Sequence, residues 1–212
     1  MERTAIILAE DFNGSFGQDV GLLEFNKKPL IKHVINAVEP IVDEIIIVID
    51  DEEGKELYKK AVKSEVQLLV NGEKIKEPLT GALKGFEGAK GSYSLLLPSN
   101  APLISVEILE LLFDLCHGRS AVIPRWPDQQ IEPLHAVYQT EKAIDSARAV
   151  LTGNHPDLYD MVEHLRGVRY LSTLVIQELD PDMKTFFNVN TPLDLKKATV
   201  LLKPRPQKRH QP

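Results

Sequence analysis

Residues 5 to 9, AIILA, form an unbroken apolar run that leads into a polar stretch holding Gly14 and Gly17 and then into Pro29 to Val38. A continuous apolar run of this kind is the mark of a parallel strand covered on both faces. In the later segment Leu30, Ile31, Val34, Ile35 and Val38 fall on one face of a helix, and Pro29 suits its first turn. Strand, small-residue loop and helix in that order put backbone N–H groups at the carboxyl end of a strand, where α/β sheets bind phosphate. That opening restricts the chain to layered α/β architectures.

The rest keeps the same alternation. Asp43 to Asp50, DEIIIVID, reads as a second strand, and Asp51 to Val62 as a polar helix with Leu57 and Ala61 facing in. A strand at Val66 to Val70, a helix at Pro78 to Ala89 and a strand at Tyr93 to Leu97 follow. Ser105 is a suitable cap for a helix to Cys116. The second half predicts strands at Ala121 to Pro124 and Glu132 to Gln139, a helix at Glu141 to Leu151 capped by Thr140, and a helix at Asp157 to Leu165. Short strands are expected at Val168 to Leu171 and Leu174 to Glu178, then a closing helix from Pro192 to about Leu201. Strands separated by helices imply right-handed crossovers, so the expected fold is a Rossmann-like three-layer αβα sandwich with a mostly parallel central sheet.

A chain of 212 residues, 43% hydrophobic, supports one sizeable core. Residues 1–202 are therefore expected to form a single domain, with 203–212, KPRPQKRHQP, as a solvated basic Pro-rich tail. The single Cys116 lies in an apolar helical pattern and reads as a buried structural thiol. No apolar run approaches the ~20 residues of a membrane span, and Met1-Glu2-Arg3 leads into a strand instead of a signal peptide. The expectation is a cytoplasmic protein that does not engage membrane. A net charge of −6 argues against a broad nucleic-acid surface, which needs a basic face.

Five blocks carry a resemblance. Leu8-Ala9, then Gly17 and Asp19, then Leu22-Leu23-Glu24-Phe25 and Lys28-Pro29-Leu30 form the first. Glu77-Pro78-Leu79-Thr80-Gly81 is a turn into a helix, Ser99-Asn100-Ala101-Pro102 follows a strand, and Glu132-Pro133-Leu134-His135-Ala136 enters one. Asn188-Val189-Asn190-Thr191-Pro192-Leu193-Asp194-Leu195 closes the set. In order and spacing these resemble the molybdenum-cofactor guanylyltransferase family of the nucleotidyltransferase superfamily, which has LAGG with a polar loop ending in Lys, then GPLAG, CDxP, QPLxA and NxNTPxDL.

The resemblance implies transfer of GMP from GTP to the phosphate of molybdopterin with release of pyrophosphate, using Mg²⁺. Leu8, Ala9, Glu10 and Asp11 stand at the nucleotide cradle, Ser15 and Val20 where the family has Arg and Lys, Asn100 where it has the metal-holding Asp, and Asn71 near a further family Asp. Pro78, Leu79, Pro133, Leu134, Asn188 and Asn190 fall in the substrate-binding blocks. Carboxylates beside a triphosphate add like-charge contacts of roughly 1–4 kcal/mol at ~4 Å. Asn100 offers Mg²⁺ an oxygen without charge. Glu10 and Asp11 as metal ligands, with Lys27, Lys28, Lys74 or Lys76 as cations, would be a rearranged site. Two further readings stay open: a catalytically silent homologue that binds or assembles, pairing with an active homologue, and transfer to another phosphate acceptor. Arg125 and Trp126 read either as a pterin contact or an exposed turn, and His135 as a core or edge histidine.

Overall fold

The structure, a computed structural model, describes residues 2–9, 16, 19–62, 65–72, 77–153 and 156–202. β1 (Arg3–Ala9) is followed by a short 3-10 turn, Val20–Leu22, and a tight hairpin of β2 (Glu24–Phe25) and β3 (Lys28–Pro29). Then come α1 (Leu30–Val38), β4 (Glu44–Ile49), α2 (Glu52–Ala61), β5 (Gln67–Val70), α3 (Pro78–Gly88) and β6 (Tyr93–Pro98). The second half holds α4 (Val106–Cys116), β7 (Ala121–Arg125), β8 (Ala136–Gln139), α5 (Thr140–Val150), α6 (Leu158–His164), β9 (Val168–Ser172), α7 (Thr173–Leu179) and α8 (Pro192–Leu201).

The main sheet runs β5-β4-β1-β6-β8-β7-β9. β1 lies parallel to both β4 and β6, β4 to β5, and β7 to β9, while β8 is antiparallel to both its neighbours. Among the described residues β8 alone opposes the others, so the remaining strands end on one edge. The alternation along β1 decides the layering. Ala5, Ile7 and Ala9 face a core shared with Ile31, Val34 and Ile35 of α1 and Leu109, Leu112 and Phe113 of α4. Ile6 and Leu8 face the opposite core, with Leu79, Ala82 and Phe86 of α3 and Ala143 and Ala147 of α5. The result is the expected Rossmann-like three-layer αβα sandwich with a mostly parallel sheet. α3 comes close to the sheet because Gly85 has no side chain: a Cβ there would sit 2.3 Å from Ile6 Cγ2.

Several local expectations are corrected. Leu57 is 47% exposed, and Tyr58 takes the inward position on α2, four residues before buried Val62. Only Ala136–Gln139 of the predicted Glu132 to Gln139 strand pairs; the His135 amide donates to the Glu132 carbonyl at 3.1 Å, turning the chain first. Thr140 is the first residue of α5 and not its cap, its hydroxyl donating to the Gly91 carbonyl at 2.6 Å. Ser105 stands at the cap of α4, but its hydroxyl donates to Glu107 instead of accepting from the helix backbone. Leu174 to Glu178 is helical within α7: Ser172 accepts from the Leu174 amide, and only Thr173 and Ile176, three apart, are buried. There the strand-favouring residues yield to tertiary context.

Candidate functional site

The shared strand edge gathers segments distant in sequence. At the end of β6 the Ser99 amide donates to the Leu8 carbonyl of β1 at 2.9 Å, and at the end of β5 the Asn71 amide donates to the Ile49 carbonyl of β4 at 2.8 Å. Asn100 follows immediately. Its carbonyl accepts from the Val189 amide at 2.9 Å, and its Nδ2 donates to the Val189 carbonyl and to Asn190 Oδ1, each at 3.0 Å. Asn100 and Asn190 thus meet across 90 positions of sequence. The segment before α8 is held in turn by Thr191, which caps the helix by accepting from the Asp194 amide and donates to Asp194 Oδ2 at 2.8 Å. That hydroxyl is the main reason the Asp194 carboxyl lies below its ordinary range. Asn188 Oδ1 is buried and accepts no protein hydrogen bond.

The chain re-enters this edge at Asp19. Asp19 Oδ1 accepts from the Gly21 amide at 2.9 Å and from the Tyr58 hydroxyl at 2.6 Å. Tyr58 is wholly buried, and burial, then the charge of Asp19, raises its phenol well above the usual value. The 3-10 turn at Val20–Leu22 passes so close that a Cβ on Gly21 would lie 2.3 Å from the Tyr58 oxygen and 2.9 Å from Ser99 Oγ. Val20, where the sequence resemblance leads one to expect a Lys, packs with Phe16, Leu103, Phe187 and Leu195 around Leu23, Phe25, Leu30, Val189 and Ala198. An apolar fastening thus stands where a phosphate-holding cation was to be sought.

A second cluster forms where β7 ends and β8 begins. Trp126 Nε1 donates to Glu132 Oε1 at 2.7 Å, and the rings of Trp126 and His135 both meet Phe186 edge-on, at 5.6 and 5.4 Å between centroids. Burial raises the Glu132 carboxyl, partly offset by the indole donor. His135 is 1% exposed, neither ring nitrogen has a protein partner, and burial lowers its pKa to about 4. The Arg125 guanidinium lies over the Tyr170 ring at 4.6 Å.

Of the positions named from sequence, Leu8 and Ala9 have buried side chains, so only their backbone can face a ligand. Glu10, Asp11, Gly14, Ser15, Gly17, Lys74 and Lys76 lie outside the described residues. Lys27 and Lys28 are exposed on the hairpin, whose turn holds Asn26 and Lys27 at positive φ. Asn71 Nδ2 donates to Thr80 Oγ1 at 3.0 Å. Pro78 opens α3, Leu79 is buried in the core, the Pro133 carbonyl accepts from Tyr138 at 2.8 Å, and Leu134 is half-buried against the α3 and α5 core. The packed side chains can set position but touch little else. Tyr58 and Phe186 were not singled out from sequence, because nothing in a polar helix or a Phe-Phe pair marks a residue that reaches across the sheet edge. Among the described residues no three His, Cys, Asp or Glu gather as a metal site, and no helix is long and apolar enough to cross a membrane.

The MobA-like NTP transferase domain family matches residues 5–171. A protein of Methanosarcina mazei named probable molybdenum cofactor guanylyltransferase is 30% identical over 198 residues, covering 91% of this chain and 88% of that one. One of Methanothermobacter thermautotrophicus with the same name is 28% identical, covering 85% and 90%. Among solved structures, molybdopterin-guanine dinucleotide biosynthesis protein A from Archaeoglobus fulgidus superposes with a TM-score of 0.77 at 24% identity, covering 93% of this chain and 97% of that one. 4-diphosphocytidyl-2C-methyl-D-erythritol synthase from Anaerococcus prevotii gives 0.71 at 13% identity, covering 95% and 98%. These two likenesses concern the fold.

Proposed function

The chain belongs to the MobA-like NTP transferase family, and from that membership we propose that it acts as a molybdenum cofactor guanylyltransferase. In this reading an oxygen of the molybdopterin phosphate attacks the α-phosphorus of GTP, forming a P–O bond while the bond to the β-phosphate oxygen breaks and pyrophosphate leaves. Residues 1–202 act as one domain, with 203–212 as a tail outside the reaction.

The observation that carries the reading is the union of Asn100 with Asn190 at the carboxyl ends of the strands. It joins the block after β6 to the block before α8, so a donor held over β1 and an acceptor held beside α8 would share one cleft edge. The nucleotide side comprises the backbone of Leu8 and Ala9, the loop residues Glu10 and Asp11, and Asn71 and Asn100. The acceptor side comprises Asn188 and Asn190, with Pro78, Leu79, Pro133 and Leu134 setting the positions of their turns. Phosphoryl transfer of this kind depends on alignment and on donors aimed at developing charge; the Asn100–Asn190 bond would supply alignment, and backbone N–H groups the donors. Bound Mg²⁺ would offset phosphate charge. The described residues fit it poorly, since Asn100 brings one neutral oxygen and no carboxylate cluster accompanies it.

A second reading has an observation of its own. Val20 in an apolar cluster favours a homologue that binds or assembles without transferring, or one that serves another phosphate acceptor. Calorimetric titration of the folded protein with GTP and Mg²⁺ separates these readings. Saturable heat, followed by pyrophosphate release on adding molybdopterin, is expected; GTP binding with no release leaves the silent homologue, and no heat removes the guanylyltransferase.

A further inference from the structure

The turn that follows the nucleotide loop is fastened by a residue from another element. Tyr58 belongs to α2, a helix otherwise charged and solvent-facing, yet its ring is 0% exposed and its hydroxyl reaches Asp19, Gly21 and Ser99. Packing alone does not require the oxygen, because a phenylalanine fills the same space without desolvating a hydroxyl. Burying a hydroxyl is unfavourable unless it is hydrogen-bonded. Here it donates to Asp19 Oδ1 at 2.6 Å.

Asp19 Oδ1 accepts from both Tyr58 and the Gly21 amide, and the turn closes behind it: the Leu22 amide donates to the Asp19 carbonyl and the Leu23 amide to the Val20 carbonyl. Helix α2, the turn and the end of β6 therefore meet around Gly21. Gly21 completes the lock, since any Cβ there would overlap the Tyr58 oxygen and crowd Ser99.

Charge makes this fastening consequential. The Val20 side chain carries no charge for a phosphate, and the contacts that hold this turn are protein ones: the apolar cluster around Leu23 and the bonds of Asp19 to Gly21 and Tyr58. We propose that Tyr58 is a positioning residue for the nucleotide side of the site, holding Asp19 and the Gly21–Leu23 turn in the arrangement that a ligand meets. Its link to nucleotide rests on the guanylyltransferase reading; its action on the turn does not. It touches no reacting atom and works through Asp19. Preorganisation of this kind raises affinity by lowering the ordering cost at binding.

Tyr58→Phe keeps the ring and removes the oxygen. Amide hydrogen exchange of the unliganded protein is expected to show Gly21 and Leu22 exchanging about tenfold faster in the variant, while amides of β1, β4 and β6 keep their rates. Asp19→Asn, whose Oδ1 can still accept from both donors, should retain most of the protection; Asp19→Ala should lose it. Unchanged exchange at Gly21 in Tyr58→Phe, or a uniform acceleration across all amides, overturns the proposal, the first because the oxygen then holds nothing and the second because its role is general stability. GTP titration of Tyr58→Phe then tests the link to nucleotide. A roughly tenfold weaker Kd supports it, and an unchanged Kd with a loosened turn overturns it. A wild-type protein that binds no GTP removes the guanylyltransferase reading and the nucleotide link with it, while the exchange comparison still decides what Tyr58 does to the turn.

Discussion

His135 is the core histidine that the sequence allowed for, and its chemistry follows from that burial. Its imidazole is neutral in the native protein, held near pKa 4 by burial against an ordinary value of 6.5. Above pH 6.5 the ring is neutral folded or unfolded and contributes nothing to pH dependence. As pH falls from 6.5 towards 4 the unfolded chain takes up a proton that the native ring refuses, so stability drops by about 1.4 kcal/mol per unit, roughly 3 kcal/mol in all. Glu132 on the same turn works oppositely, since a carboxyl raised by burial loses stability as pH rises through its titration. His135→Leu isolates the histidine: denaturant unfolding at pH 7 and pH 4.5 should show a smaller acid loss in the variant than in the wild type. Parallel losses would mean that the ring is protonated in the fold. At pH 7 the substitution should be neutral or mildly stabilising, because it removes two buried nitrogens that no protein group satisfies.

At the scale of elements, α3 is the clearest case of a helix whose distance from the sheet is set by one residue. Alanine at 85 would favour the helix by ~1 kcal/mol, but its methyl would lie 2.3 Å from Ile6 Cγ2 and 3.3 Å from Val48 Cγ2. Overpacking of that severity costs about 1–3 kcal/mol, which outweighs the helical gain when neighbours come from two central strands. Gly85→Ala is expected to lower the melting temperature by roughly 2–6 °C, and a rise would show that α3 can move outward freely. The same element-level logic explains α7. Its apolar run resembles a strand, yet β9 already occupies the sheet edge and Ser172 caps the chain into a helix.

The whole molecule carries a net charge of −6. Cationic triphosphate sites lose affinity as salt screens attraction, but a ligand anion approaching this surface meets repulsion that salt relieves. Association of GTP with the protein, followed by stopped-flow, should therefore speed up about twofold between roughly 0.02 and 0.15 M salt. A rate that falls over that range would point to a cationic patch that Lys27, Lys28 or the lysines of residues 73–76 create around the entrance.

The apolar run of β1, the amphipathic face of α1 and the spaced blocks after them were enough to determine the layered α/β fold and the family. These are local or short-range signals: periodicity reports which face is buried, and blocks report which turns are kept. What sequence could not decide was which side chains meet. The Asn100–Asn190 contact, the reach of Tyr58 to Asp19, the packing of Val20 against the cluster of Leu23, Leu30 and Val189, and the orphaned His135 each depend on elements brought together by the sheet. Pairing across such distances is set by the packing of strands and helices as rigid bodies, which no single stretch of chain records.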